Sequence, residues 1–163
     1  MLAVFYRKGF QHMSDVMFRM FELHQQDYNC SQILLQLGLE ARGTYNPDLI
    51  RAMHGLGGGM GFSGKTCGAL TGGVCLLSLY AGRGQEEEKA HNNFILMIGE
   101  LVEWFENTIG AEYGSINCRD IIGDDLKTQT INPKCSNIVS ATYDQVKEIL
   151  ASRDIGMSDG SAK

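Results

Sequence analysis

The chain has 163 residues, of which 44% are hydrophobic and 20% are charged, and its net charge is -5. This length and apolar content are those of one globular domain with a buried core, so intrinsic disorder is excluded. A general nucleic-acid binder needs a basic field that this acidic chain lacks, and no apolar stretch approaches the ~20 residues that a membrane span requires. We therefore expect neither a nucleic-acid partner nor membrane insertion.

The two ends differ from the rest of the chain. Residues 1–13 carry their basic residues after a short apolar run, which is the reverse of an export signal. Because His12–Met13 is also encoded by a common cloning site, we interpret residues 1–13 as a cloning remnant or a non-native start. A chain without an export signal is expected in the cytoplasm, where cysteines serve metals or catalysis more often than disulfides. We expect one domain over residues 14–152 and a polar, disordered tail over residues 153–163.

Apolar residues recur at helical spacing along nearly the whole chain. In chain order, the pattern predicts a helix around Val16, a second from Cys30, a third that starts at Pro47, and a fourth from Cys67. A glycine-rich loop over residues 55–64 precedes the fourth helix. This arrangement predicts a central helix that follows a loop with unusual backbone freedom.

The second half of the chain continues the helical pattern. The clearest helix is predicted from Glu86 to Ile109, with Glu86–Glu88 as a charged first turn and one apolar stripe. That stripe contains Phe94, Met97, Ile98, Leu101, Phe105 and Ile109. A last helix runs to Leu150, and no segment alternates with period two. The sequence therefore predicts an all-α fold, a single compact multi-helix bundle with the glycine-rich loop before its central helix.

The spacing of the five cysteines excludes several common sites. No pair forms a CxxC motif, so a zinc ribbon, a thioredoxin active site and a bacterial ferredoxin loop are excluded. The CxxCH motif of a covalent haem is missing too. Spacing alone therefore gives little indication of a metal.

Four of the cysteines come one or two residues after a residue that favours the start of a helix. The pairs are Asn29 and Cys30, Thr66 and Cys67, Asn117 and Cys118, and Asn132–Pro133 and Cys135. Unpaired backbone N–H groups and the helix dipole favour negative charge at a helix start. We therefore expect these thiols to have a lowered pKa and to act as nucleophiles or metal ligands.

The remaining cysteine, Cys75, lies in the middle of a predicted helix among apolar residues. We interpret it as a packed side chain. It is eight residues from Cys67, about 12 Å along a helix, so the two cannot form a disulfide while that helix is intact. His24 and His54 lie on predicted apolar faces and are likewise interpreted as structural side chains.

The segment GMGFSGKT, from Gly59 to Thr66, matches the pattern of a nucleotide-binding P-loop. In a P-loop, Lys65 would neutralise the phosphates and Thr66 would bind magnesium. That function requires a buried strand directly before the loop, whereas the preceding residues here predict a short helix. We favour glycines that permit left-handed turns, and keep nucleotide binding as an alternative.

Four cysteine motifs give the chain a resemblance to a known family. They are YNCSQ at Cys30, GGGMGFSGKTCGALTGG around Cys67, INCRDIIG at Cys118 and PKCSNIV at Cys135. Over about residues 14–150 the chain resembles the redox-active proteins of the C-GCAxxG-C-C type. The resemblance implies that these four cysteines are the site, with Cys75 an addition. Related domains occur in split-Soret cytochromes with haem and an iron–sulfur centre, although the missing CxxCH removes the haem part of the likeness.

Two mechanisms fit Cys30, Cys67, Cys118 and Cys135. In the first, they bind an iron–sulfur cluster, [2Fe–2S] in type, and the protein passes electrons to a redox partner protein. In the second, they form thiol–disulfide pairs, with Cys67 as the attacking thiolate. We favour the cluster slightly, because it makes all four residues converge. Whether the protein is an oxidoreductase or an electron carrier stays open, as does homo-oligomerisation. A structural zinc site and a partner-binding module without chemistry are further alternatives.

Overall fold

The computed structural model describes residues 15–128 and 133–157, and these residues form helices and no strand. The helices are α1 (15–25), α2 (Cys30–Ala41), α3 (Pro47–Met53), α4 (Gly57–Met60), α5 (Gly68–Ala81), α6 (Phe94–Phe105), α7 (Ala111–Tyr113), α8 (Cys118–Ile122), α9 (Asp125–Thr128) and α10 (Pro133–Ala151), with a 3-10 turn at His54–Leu56 and a π-helical turn at Glu106–Gly110. The all-α prediction is confirmed. None of the described helices is both long and apolar enough to cross a bilayer. Residues 1–13 lie outside the described part of the chain.

Helix α5 is the centre of the bundle because its small residues allow two other helices to approach closely. A Cβ atom on Gly72 would lie 2.8 Å from Ser31 Cα, in α2. A Cβ atom on Gly73 would lie 2.8 Å from a methyl carbon of Thr142, in α10. Both distances are shorter than real Cβ contacts, so glycine at these two positions sets how closely the helices pack.

Two apolar clusters fill the bundle. The main core lies among α5, α6 and α10 and includes the fully buried Leu76, Leu77, Met97, Leu101, Phe105, Val146 and Leu150. The smaller cluster lies between α2 and α3 and contains Leu35, Leu39, Ile50 and Met53, with Cys75 packed against it. The predicted stripe of the long helix therefore faces the main core.

The long helix starts later than the sequence predicted. The prediction placed its start at Glu86, but α6 begins at Phe94. The Glu88 carboxylate accepts hydrogen bonds from the N–H groups of Gly84 and Gln85, and the Arg83 guanidinium donates to the carbonyl groups of Gln85 and Glu86. These side chains stabilise a tight turn, so the acidic run closes a loop instead of opening a helix.

The end of the described chain is packed. The N–H of Ile155 donates to the carbonyl of Leu150 over 3.0 Å, and Ile155 and Met157 pack partly buried against the main core. The Arg153 guanidinium pairs with Glu100, in α6. The packed part of the chain therefore extends beyond the predicted boundary at residue 152, at least to Met157; residues 158–163 lie outside the described part.

We expect Gly72→Ala to destabilise the protein by about 1–3 kcal/mol, because the added methyl group meets the backbone of Ser31. The matched control is Gly99→Ala, in α6, where no atom lies within 4 Å of the added Cβ. That variant should gain about 0.5–1 kcal/mol through helix propensity. Urea unfolding measures both; equal effects of the two variants would contradict the close packing of α2 and α5.

Candidate functional site

The four cysteines singled out by the sequence lie at one cavity. Cys30 is the first residue of α2, Cys67 is the N-cap of α5, Cys118 is the first residue of α8, and Cys135 is the third residue of α10. All four line the same cavity of about 520 Å³. The structure therefore brings together residues that are up to 105 positions apart, each at the start of its helix.

The capping residues agree in part with the prediction. Asn29 caps α2 in a capping box, since its side chain accepts from the Gln32 N–H and the Gln32 side chain accepts from the Asn29 N–H. Asn117 occupies the N-cap position of α8. Thr66 is not a cap, because Cys67 itself takes that position in α5. Asn132 lies outside the described residues.

A two-residue antiparallel bridge ties the starts of α5 and α8 together. Thr66 pairs with Asn117. The Cys67 N–H donates to the carbonyl of Ile116 over 2.9 Å, and the Cys118 N–H donates to the carbonyl of Lys65 over 2.7 Å. These two hydrogen bonds fix the backbone of Cys67 relative to that of Cys118.

The glycine-rich loop before α5 is a left-handed turn. Five consecutive residues, 58–62, have positive φ angles, from 59° at Gly61 and Phe62 to 69° at Gly59. A side chain at Gly59 would lie 2.3 Å from the carbonyl oxygen of Lys65, so the close approach of the backbone there requires glycine. The guanidinium of Arg119 holds the end of this turn by donating to the carbonyl oxygen of Ser63 over 2.7 Å.

This geometry does not match a P-loop. No strand precedes the turn anywhere in the described residues. A P-loop presents its backbone N–H groups to phosphate. Here the N–H groups of residues 61–65 donate to backbone carbonyls of residues 55–60 instead. The match to the nucleotide pattern is therefore explained by the glycines of a turn that positions Cys67.

Gly68, the residue after Cys67, leaves room for the sulfur atom of Cys30. A Cβ atom on Gly68 would lie 2.5 Å from Cys30 Sγ and 3.0 Å from the carbonyl oxygen of Leu56. The glycine of the CGA block therefore leaves the space that the Cys30 thiol occupies, which brings the starts of α2 and α5 together at the cavity.

The predicted lowering of the thiol pKa is wrong for Cys30, Cys67 and Cys118. Burial raises the pKa of Cys30, and the thiols of Cys67, Cys135 and Cys118 raise it further. Burial raises the pKa of Cys67 to about 11, even though the N–H groups of Ala69 and Leu70 hydrogen-bond to the sulfur and lower it. The pKa of Cys118 rises to about 12 through burial and repulsion from Cys67 and Cys135. Hydrogen bonds at the helix starts lower the thiol pKa, but removal of the thiols from water raises it by more.

Cys75 does not belong to this site. It does not line the cavity, and it packs against the smaller core between α2 and α3. Burial raises its pKa as well. Cys30, Cys67, Cys75 and Cys118 are free thiols in the structure. Within the described residues, no three Cys, His, Asp or Glu side chains are grouped closely enough to hold one metal ion.

The rest of the cavity wall was not predicted. Met17 is 55% exposed and Phe21 is 59% exposed, and both line the cavity. His24 lines it too, and burial lowers the pKa of this histidine. Asp144, in α10, lies at the same wall, and burial raises its pKa. The helical spacing of Met17, Phe21 and His24 was the available signal, because it places all three on one face of α1.

The chain is similar to a known protein family. A family model described as "Putative redox-active protein (C_GCAxxG_C_C)" matches residues 28–149. The chain belongs to this family of redox-active proteins. The match contains all four cysteines of the cavity, together with the glycine turn and the bridge that position them. No curated protein and no solved structure matches the chain.

We expect the free energy of unfolding of the metal-free, fully reduced protein to fall as the pH rises above about 8.5. Unfolded thiols ionise near that pH, whereas the fold holds the pKa of Cys67 at about 11 and that of Cys118 at about 12. Their protonated forms therefore stabilise the fold below pH 8.5, and this contribution is lost as the pH rises through the folded pKa values.

The measurement is urea unfolding at pH 8 and pH 10 for the natural chain and for Cys67→Ser/Cys118→Ser. The loss should be about 1.4 kcal/mol per pH unit for each thiol that ionises only in the unfolded chain. The double variant should lose correspondingly less. An identical pH dependence in the two proteins would contradict the raised pKa values.

Proposed function

We propose that Cys30, Cys67, Cys118 and Cys135 together hold an iron–sulfur cluster, [2Fe–2S] in type, and that the protein carries single electrons to a redox partner protein. The observation that supports this is the convergence of four thiols, from four separate helix starts, on one cavity. Four cysteines are the usual ligand set of such a cluster. When bound, the cluster supplies one-electron redox chemistry.

The electrostatics of the cavity favour a positively charged occupant beside the thiols. Each of three thiols there has its pKa raised by at least one other cysteine of the group. No Lys or Arg is among the described residues that line the cavity. Metal ions remove the proton from a coordinating thiol and neutralise the thiolates together, which relieves this repulsion.

A structural zinc ion takes four donors around a single centre, whereas a two-iron cluster divides four thiolates between two metal ions. The described residues contain no group of three donors placed to hold one ion, so the side chains would have to move for either group to bind. We favour the cluster over zinc because the family is redox-active and zinc has no redox chemistry.

The backbone at the site also suits a cluster. The N–H groups of Ala69 and Leu70 hydrogen-bond to the sulfur of Cys67, and the backbone of Gly58 does the same for Cys30. Hydrogen bonds to the ligand sulfurs stabilise the added electron of a reduced cluster and so raise its reduction potential. Burial of Cys67 and Cys118 keeps water from the ligands.

Anaerobic purification followed by iron analysis tests the proposal. We expect a brown protein with about two irons per chain. Serine in place of Cys30, Cys67, Cys118 or Cys135 should lower the iron content and bleach the visible absorption. The matched control, Cys75→Ser, should leave both unchanged, because Cys75 packs against the smaller core and does not line the cavity.

Iron at the natural level in all four serine variants would contradict the proposal, as would a colourless protein after reconstitution with iron and sulfide. Zinc measured in the same samples, with loss of folding on chelation, would instead indicate a structural zinc site.

Thiol–disulfide exchange is the second candidate, and the observation that favours it is that the four cysteines line the same cavity. The raised pKa of Cys67 counts against it, because an attacking thiol must ionise near neutral pH. An iron-free protein that gains disulfides among Cys30, Cys67, Cys118 and Cys135 on mild oxidation, located by mass spectrometry of the peptides, would favour this candidate over the cluster.

We expect Gly68→Ala to reduce the iron content per chain severalfold while the protein remains helical. The added methyl group would lie 2.5 Å from Cys30 Sγ and would displace this ligand from the cavity. Gly99→Ala, the matched control on α6, should retain the natural iron content. Natural iron content in Gly68→Ala would show that the contact between Gly68 and Cys30 does not position the ligand.

A further inference from the structure

The cavity extends beyond the cysteine site, which occupies one end of it. On α10 its wall extends from Cys135 to Asp144, nine residues and therefore about 13 Å along the helix. On α1 the wall extends from Met17 to His24, about 10 Å. The four thiols thus occupy one part of a larger space.

The size and chemistry of that space are those of a small-molecule site. Its volume of about 520 Å³ lies inside the range of about 300–1,000 Å³ that ligand sites occupy. Apolar side chains form most of the wall, among them Met20, Phe21, Ile33 and Ile138. His24, Asn137 and Asp144 add a few polar groups, which is the usual composition of a site that orients an apolar ligand.

The charge of the wall selects against anions. Asp144 is an acidic group at the cavity, and the described residues of the wall include no Lys or Arg. Ionised thiols or a cluster held by four thiolates would add further negative charge. A negatively charged ligand would therefore enter without any basic side chain to balance it.

Exposed apolar side chains lie at the rim of the cavity. Met17 and Phe21 remain 55% and 59% exposed there, although large apolar side chains are exposed elsewhere too, among them Phe18, Ile95 and Leu96. Phe62, in the left-handed turn, lines the same cavity and is 37% exposed. Exposed apolar groups that rim a concave site are typical of ligand entry.

We propose that this cavity binds a neutral, largely apolar molecule of one or two rings, in contact with the cysteine sulfurs. Such a molecule fills the space between α1 and α10, so that both of its faces are removed from water. This binding depends on the cavity wall and does not require the proposed cluster.

Titration of the purified protein with N-phenyl-1-naphthylamine tests the inference, because this neutral amine, which joins a phenyl ring to a naphthyl ring system, becomes fluorescent in apolar surroundings. We expect saturable binding at one site per chain. Ala141→Trp adds a large side chain to the wall and should weaken binding at least tenfold. The matched control, Ala151→Trp, is exposed at the far end of the same helix and should bind like the natural chain.

Two further measurements keep the test decisive. Asn137→Trp changes an exposed residue of the wall, so it should weaken binding at least tenfold even if Ala141→Trp fails to fold. The anionic analogue 1-anilinonaphthalene-8-sulfonate should bind at least tenfold more weakly than the neutral amine. The natural chain should bind the neutral probe saturably both with and without bound iron, which separates this inference from the proposed cluster.

Absence of saturable binding by the natural chain would overturn the inference. Natural affinity in both Ala141→Trp and Asn137→Trp would overturn it as well, because the probe would then occupy a different surface. Equal affinity for the anionic and the neutral probe would contradict the charge selection and with it the assigned class of ligand.

Discussion

The close approach of α2 and α5 is the constraint on which the site depends. Gly72 lets the two helix backbones meet at Ser31, and Gly68 leaves the space that Cys30 Sγ occupies. A larger residue at either position would separate the helices and move the sulfur of Cys30. The small residues of α5 therefore do more than pack the core, since they determine where the thiols of Cys30 and Cys67 lie.

The left-handed turn over residues 58–62 is the second constraint. Met60 and Phe62 adopt positive φ angles there, at a cost of about 1–2 kcal/mol each for residues with side chains. Backbone hydrogen bonds and the Arg119 guanidinium hold the turn, and the bridge between Thr66 and Asn117 then fixes the start of α8 beside that of α5. Backbone strain at this point is compensated by contacts that also position Cys67 and Cys118.

Sequence reasoning could reach the fold and the four cysteines, but not their acidity or the cavity. Periodicity shows which face of a helix is apolar, so the stripe from Met97 to Ile109 could be predicted. It does not show whether another element covers that face, so the exposure of Met17 could not be predicted. The capping turn at Glu88 is a matter of side-chain geometry that an acidic run does not reveal. The dipole of a helix start contributes about 0.3–1 kcal/mol, whereas burial shifts a pKa by up to 3–5 units, and only the structure shows that Cys67 and Cys118 are buried.

The matched family is redox-active, and the matched residues include the four cysteines that line one cavity. X-ray absorption at the iron edge of the anaerobically purified protein tests the resulting account most directly. The account predicts that iron is surrounded by sulfur alone, with a second iron as its near neighbour. Iron bound through nitrogen or oxygen, or single iron ions without a neighbour, would contradict it.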